Sequence, residues 1–158
     1  MLVNHSYKPS PYRIKTIVEG PKRKVRKISV PRFYPDQIVQ WAILLQIIPI
    51  LSKGMDPFTC GSIPGRGISY AARYLKRWLQ NDKRDTKYCL KLDIHRFYPS
   101  IQHDRLKAML RRKFKDLELL SLLDLIIDST PTGLPIGNVT SQWFANFYLQ
   151  GFDHYVRE

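Results

Sequence analysis

The first part of the chain alternates apolar and polar residues in two short runs. Residues 12–18 and 25–30 place apolar side chains at close to two-residue spacing, and Gly20-Pro21 separates the runs. A two-residue period is typical of strands, and a Gly-Pro pair favours a turn. The pattern predicts a basic β-hairpin. It serves either as a ligand-binding element or as a solvated edge whose lysines oppose aggregation.

The remaining sequence follows mainly helical spacing. Apolar positions predict helices over residues 36–52, 68–80, 101–114, 117–128 and from 140 onwards, with loops over 54–67 and 129–137. The first helix has apolar residues on most faces and is expected to be largely buried, with Pro49 kinking or ending it. Residues 87–93 are predicted as a strand that ends at Asp93. This order of elements predicts an α/β fold.

The charge of the chain indicates what kind of partner it has. Its 158 residues include 26 Lys and Arg against 13 Asp and Glu, a net charge of +13. Such a surplus indicates a polyanion, either nucleic acid or an anionic membrane surface. The longest apolar stretch, residues 38–51, is too short and too polar to span a bilayer, and the N-terminus lacks a signal-peptide core. Two cysteines without metal-binding spacing predict a cytoplasmic protein with reduced thiols.

Two segments carry residues suited to chemistry. Asp93 follows the predicted strand and precedes Phe97 and Tyr98, and a carboxylate there can hold Mg²⁺ together with substrate phosphate oxygens. Its alternative role is to cap the following turn. Residues 133–142 place two glycines around a proline where a helix opens, which lets backbone approach a flat or anionic ligand. The alternative is an ordinary turn into a helix.

Five segments, taken in chain order, resemble the corresponding blocks of a reverse transcriptase. They are the hairpin through residues 26–31 (RKISVP), then residues 33–42 (FYPDQIVQWA), 63–67 (IPGRG), 92–101 (LDIHRFYPSI) and 133–142 (GLPIGNVTSQ). Within the family, the chain most resembles the enzymes of diversity-generating retroelements. Ile136 stands where most members have Gln, and Gln142 stands where Pro is common. Group II intron and retron enzymes are the alternatives.

The resemblance implies a right-hand polymerase fold and a reaction. Residues 1–85 would form the fingers subdomain, a β-hairpin plus helices, and residues 86–158 the first half of the palm. The implied activity is RNA-directed DNA synthesis from dNTPs with two Mg²⁺ ions, error-prone at template adenines. The implied partners are template RNA, primer or cDNA and a small basic accessory protein. No membrane is expected, and the setting would be bacterial or phage-encoded.

The resemblance also implies roles for residues 93–98. Asp93, with the carbonyl of Ile94, would hold metal for two-metal phosphoryl transfer. The backbone N–H groups of Arg96 and Phe97 would bind the triphosphate. Tyr98 would be the steric gate that rejects a ribose 2′-hydroxyl; its alternative is a core aromatic residue.

Further nucleotide contacts are implied for the hairpin and the last loop. Arg26, with Lys22 or Lys24, would reach the β- and γ-phosphates. Ile136 and Gly137 would lie beside the incoming nucleotide. An aliphatic side chain cannot hydrogen-bond, so Ile136 predicts weak discrimination between incoming nucleotides and therefore low fidelity. The alternative role of Ile136 is to pack beneath the loop.

Template contacts are implied at two further positions. Arg66, in the Gly-Arg-Gly turn, and Gln142, in the opening of the last helix, would bind the template strand. A simple surface-turn arginine is the alternative for Arg66.

One element that the family needs is missing. Its second carboxylate pair belongs to a Tyr-x-Asp-Asp turn, and no Asp-Asp occurs in these 158 residues. Asp93 alone cannot hold two catalytic Mg²⁺ ions. We therefore expect the chain to be a fragment, truncated before that turn, inactive by itself and continued in its gene beyond Glu158.

Two other functions remain open at this point. A non-catalytic RNA-binding module or remnant would use the same basic surface and aromatic side chains. A membrane-surface protein would need an exposed amphipathic basic helix, for which residues 107–115 are the candidate. The apolar positions of that segment are better explained by packing.

Overall fold

Helices make up most of the regular structure. The computed structural model describes residues 1–21, 23–84 and 86–157, so Lys22, a predicted phosphate contact, lies outside the described residues. In chain order the elements are β1 (Arg13–Glu19), β2 (Lys24–Val30), a short π-helical segment (Phe33–Gln37), α1 (Ile38–Ser52), α2 (Ile68–Asn81), α3 (Phe97–Ser100), α4 (His103–Lys113), α5 (Leu117–Ile127) and α6 (Val139–Arg157). The predicted α/β class and each predicted helix are confirmed.

Strands β1 and β2 form the predicted antiparallel hairpin. Their register pairs Arg13 with Val30 at the base and Glu19 with Lys24 at the turn, where Gly20 has φ +69°. Glycine adopts this left-handed conformation without steric cost. Most side chains of both strands are exposed. The hairpin therefore stands out from the helices and does not join their core.

The hydrophobic core lies among α1, α4, α5 and α6. Its fully buried side chains include Leu44, Ile47, Leu106, Leu123 and Phe144, and burying each such side chain contributes roughly 1.5–3 kcal/mol. Helix α6 contacts both α1 and α4, and α5 packs on α4. The central position of α6 holds its first turn, which is the end of the 133–142 motif, against the core.

Helix α1 ends at the predicted residue, Ser52, but it is less fully buried than its apolar pattern predicts. One face is buried, through residues such as Leu44 and Ile47, while Leu45 on another face is 68% exposed. An all-round apolar pattern indicates a buried helix only where neighbours surround it, and here they lie along one side. Pro49 also does not end the helix, which continues to Ser52. Because Pro49 lies in the last turn, its missing N–H removes a single backbone hydrogen bond.

Residues 87–93 do not form the predicted strand. The segment has no regular structure, and Tyr88 and Leu90 are 94% and 81% exposed. The N–H and C=O groups of a strand pair with those of a neighbouring strand. Among the described residues, β1 and β2 pair only with each other, so the segment has no partner. The predicted boundary between fingers and palm, at residues 85 and 86, stays a prediction, and Asp85 lies outside the described residues.

Helix α2 lies at the margin of the fold. None of its described residues is buried. Phe58, in the preceding loop, packs edge-on against two rings of the helix, with centroid distances of 5.3 Å to Tyr74 and 4.4 Å to Trp78. These aromatic contacts tie α2 to the 54–67 loop. No helix in the part of the chain that the structure describes is long and apolar enough to cross a membrane.

Candidate nucleotide site around residues 133–142

The loop before α6 joins two segments that are distant in sequence. The backbone N–H of Ser29, near the end of β2, donates to the carbonyl of Ile136 at 2.7 Å. On its other side, the backbone N–H of Leu134 donates to the carbonyl of Tyr98 at 2.9 Å. The loop therefore connects the hairpin with the one-turn helix α3. These are the two segments for which sequence analysis predicts nucleotide contacts.

The glycines of the loop are required by these close approaches. Gly133 has φ +63°, and a Cβ atom added there would lie 2.5 Å from both the carbonyl oxygen of Tyr98 and the Cα of Pro99. Gly137 has φ +131°, and a Cβ atom there would overlap the carbonyl oxygen of Ser29. The sequence predicts that these glycines let a ligand approach the backbone. In the structure they admit neighbouring backbone, and this packing fixes the shape of the loop.

The turn that follows Asp93 combines an unusual backbone with half-buried aromatic rings. Arg96 adopts a left-handed conformation, with φ +49°, and precedes α3. Phe97 and Tyr98 are half-buried with their rings edge to face at 5.9 Å, and burial raises the pKa of the Tyr98 hydroxyl. The neutral hydroxyl of Tyr98 and the exposed side chain of Arg96 thus lie at one turn.

Asp93 and Ile94 present a partial metal-ligand set. The Asp93 side chain is exposed and forms no hydrogen bond or ion pair with other described residues. No group of three or more His, Cys, Asp or Glu residues in the described ranges could hold a metal ion. The available donors are one carboxylate and one backbone carbonyl. Both are oxygen donors of the kind that Mg²⁺ prefers, and the other ligands of the ion would come from water or phosphate.

The predicted hairpin cations lie nearer the hairpin turn than Ser29, the residue that contacts the loop. Arg26 is three residues from Ser29, a distance of about 10 Å along a strand. Its Nε atom forms an ion pair with Glu19 Oε2 at 2.8 Å, and both side chains are about half exposed. Lys24 is exposed beside the turn. An exposed pair of this kind is weak, so Arg26 can exchange Glu19 for a phosphate.

The remaining predicted residues differ in their surroundings. Arg66 is half-buried, and its Nη1 atom donates to the carbonyl of Asp56 at 3.1 Å, which braces its own loop. Gln142 is exposed in the first turn of α6, and Ile136 is half-buried. Arg66 therefore has a structural role in this conformation, whereas Gln142 is open to a ligand.

A chain of side-chain hydrogen bonds that the sequence does not predict lies behind the loop. Asn138 Nδ2 donates to the Tyr12 hydroxyl at 2.8 Å, and that hydroxyl lies 2.6 Å from Ser129 Oγ. Ser129 Oγ donates to the carbonyl of Ile126 at 2.6 Å, so it must accept from Tyr12. Burial raises the pKa of the Tyr12 hydroxyl, which stays neutral and donates to Ser129. Asn138 lies within the 133–142 motif, but no sequence pattern indicates its partner Tyr12.

Similarity to known proteins covers nearly the whole chain. No protein-family model matches it. The chain is 27% identical to protein YkfC of Escherichia coli K12 over 99% of its length, and 24% identical to the group II intron-encoded protein LtrA of Lactococcus lactis subsp. cremoris over 98%. It is 28% identical over 87% of its length to the 91 kDa protein in the cob intron of Schizosaccharomyces pombe.

The matched region is a minor part of each relative. It corresponds to 44% of YkfC, 27% of LtrA and 17% of the yeast protein, so the chain spans less than half the length of the curated relatives it matches. Two of the three relatives are named for introns. These similarities support the reverse transcriptase resemblance at the level of the family, and they do not favour the diversity-generating retroelement type.

Proposed function

We propose that this chain forms the nucleotide-binding part of an RNA-directed DNA polymerase. The observation that carries the proposal is the pair of backbone hydrogen bonds from Ser29 to Ile136 and from Leu134 to Tyr98. They bring together three segments that the resemblance assigns to one nucleotide site. Similarity to intron-encoded proteins over almost the entire chain supports the same activity.

Different side chains at this site contact different parts of the nucleotide. Arg26 and Lys24 bind the β- and γ-phosphates from the hairpin, where Arg offers a fork of donors that matches phosphate oxygens. Tyr98, whose carbonyl accepts a hydrogen bond from the backbone N–H of Leu134, blocks a ribose 2′-hydroxyl. Asp93 and the carbonyl of Ile94 would hold Mg²⁺, which would supply positive charge for the phosphate oxygens of the triphosphate.

The nucleic acid is held by charge and shape. The net charge of +13 suits the phosphates of a template–primer duplex. Gln142, exposed at the opening of α6, contacts the template strand. Arg66 contributes indirectly, because its bond to Asp56 fixes the 54–67 loop. A small basic accessory protein is the further partner that we propose.

Primer extension by the complete gene product on an RNA template, with Mg²⁺, tests the activity. Asp93→Asn removes one negative charge at nearly constant size and should abolish extension. RNA affinity should stay constant or rise slightly, because a charge that repels phosphate is lost. Asp104→Asn makes the same change at an exposed position of α4 and should extend normally. Equal extension by Asp93→Asn and the wild type would contradict the proposed role of Asp93.

A non-catalytic RNA-binding module is the second candidate. It is favoured by the single carboxylate that the described residues place at the site and by the exposed basic hairpin. A protein of this class would bind RNA with the same affinity in both variants and would never extend a primer with Mg²⁺ or Mn²⁺. That outcome would replace the polymerase proposal.

The finer proposal is that the polymerase is error-prone and of the diversity-generating retroelement type. It rests on the sequence of residues 134–142, with Ile136 in place of Gln. An aliphatic residue there lacks the hydrogen bond by which a glutamine would position the nucleotide, a loss of about 1–3 kcal/mol. Ile136→Gln should therefore lower the misincorporation rate opposite template adenines, as measured by sequencing the cDNA. An unchanged error spectrum would remove residue 136 from the account and favour the group II intron or retron types.

A further inference from the structure

His103 lies at the start of α4 and contacts the candidate loop from outside the predicted site. Its Nε2 atom is 2.6 Å from the carbonyl oxygen of Gly133, and its Nδ1 atom is 3.2 Å from Asp128 Oδ1. A carbonyl oxygen only accepts hydrogen bonds, so Nε2 must carry a proton. The His103 side chain is 15% exposed, whereas that of Asp128 is 51% exposed. The ring is thus enclosed, and its inner nitrogen faces the loop.

The bond from His103 fixes one particular peptide unit. The carbonyl of Gly133 and the N–H of Leu134 belong to the same planar group. His103 and Thr130, whose Oγ1 donates at 2.9 Å, hold the carbonyl side of this group. The N–H side donates to the carbonyl of Tyr98 at 2.9 Å. Rotation of the peptide plane would break the bonds on both sides together.

We propose that His103 is a positioning residue for the nucleotide site. It sets the orientation of the Gly133–Leu134 peptide unit, and through that unit it sets the distance between the loop and Tyr98. The part of this inference that concerns nucleotide selection rests on the proposed polymerase function. The part that concerns the peptide unit stands on geometry alone.

A purely structural role would use the other side of the ring. Asp128 accepts from Lys107 Nζ at 2.6 Å as well as facing His103, and these contacts join α4 to the end of α5. If His103 served only this junction, its bond to Asp128 would matter and its bond to Gly133 would not. Two substitutions separate these contacts, because each replaces one ring nitrogen by an amide.

His103→Gln places an amide nitrogen near the position of Nε2, which can still donate to Gly133. His103→Asn places one near Nδ1, which can still donate to Asp128 but is too short to reach Gly133. Lys107→Met weakens the junction at Asp128 and leaves the contact with Gly133 in place. Thermal unfolding of the three variants checks that each is folded.

Hydrogen exchange of the peptide covering residues 129–137, in the purified protein, is the first measurement. Loss of one hydrogen bond should make the Leu134 amide exchange about tenfold faster in His103→Asn. His103→Gln should retain most of the protection, and Lys107→Met should match the wild type. Wild-type exchange in His103→Asn, or equal acceleration in the Asn and Gln variants, would overturn the proposal.

The second measurement is the ratio of kcat/KM for a dNTP and the matching rNTP in primer extension. Displacement of Tyr98 should reduce this ratio in His103→Asn and leave it near the wild-type value in His103→Gln. A uniform loss of stability would lower both rates and leave the ratio constant, which would overturn the nucleotide-selection part. A wild-type protein that never extends a primer would refute the polymerase function itself, while the exchange data would still decide the role of His103 at the peptide unit.

Discussion

Ser29 and Ile136 are 107 positions apart in sequence, and a 2.7 Å hydrogen bond joins their backbones. This bond fastens the end of the hairpin to the loop that opens α6. Most hairpin side chains are exposed, so the hairpin has little buried apolar surface to hold it in place. Backbone and polar contacts at its base therefore determine where its cations lie.

Gly137→Ala tests the closeness of this contact. The added Cβ atom would overlap the carbonyl oxygen of Ser29, in a backbone conformation with φ +131°. We expect a loss of about 1–3 kcal/mol in the free energy of unfolding, measured with urea. Gly65→Ala is the matched control, because Gly65 has φ +76° but no atom within 4 Å of the added Cβ. A loss of unfolding free energy in Gly137→Ala no larger than that in Gly65→Ala would show that the backbone at residue 137 is not closely packed against Ser29.

Tyr12→Phe tests the hydrogen-bond chain behind the loop. The change leaves Asn138 Nδ2, on a buried side chain, without its acceptor, and an unsatisfied buried donor costs about 1–3 kcal/mol. The free energy of unfolding should fall by that amount. Tyr155→Phe removes the same hydroxyl from a side chain that is 78% exposed and should have almost no effect. Equal effects of the two variants on the free energy of unfolding would contradict the proposed role of the Tyr12 hydrogen bonds.

Asp153→Asn should give a pH-dependent gain in stability. Burial raises the pKa of the Asp153 carboxyl, against the hydrogen bond that Thr59 donates to it at 3.0 Å. Because the pKa is higher in the folded protein, the ionised form costs stability above that pKa. The cost disappears below the ordinary value of 3.8. An asparagine has no charge to bury and still accepts from Thr59.

The variant should therefore unfold at a higher temperature near pH 7. The gain should be below about 1 kcal/mol, because the site is partly exposed and the charge is screened. The difference from the wild type should shrink as the pH falls toward 3.8. Thermal unfolding across this pH range measures it. A gain that grows on acidification would contradict the raised pKa.

The local elements could be predicted from sequence, because their signals are local. The two-residue period of β1 and β2, the Gly20-Pro21 turn and the helical spacing of α2, α4, α5 and α6 all correspond to structure. The predicted strand over residues 87–93 does not form, for the opposite reason. A strand forms only beside another strand, and the sequence of one segment carries no information about its neighbour.

The candidate site could be predicted only in its parts. Motif resemblance selected Tyr98, Ile136 and Gly137, and the structure brings their segments together. The residues that hold those segments are Tyr12 and His103, and no sequence motif indicates their roles. They act through hydrogen bonds between residues far apart in sequence, and a single sequence does not record such pairings.

The exposed run at Tyr88 and Leu90 affects how the protein behaves in solution. Unpaired backbone beside exposed apolar side chains can template association between copies. The charge of +13 opposes association, because like-charged copies repel over a Debye length of about 30 Å at 0.01 M salt and about 10 Å at 0.1 M. Salt shortens this repulsion and leaves the apolar run unchanged, so solubility should fall as ionic strength rises.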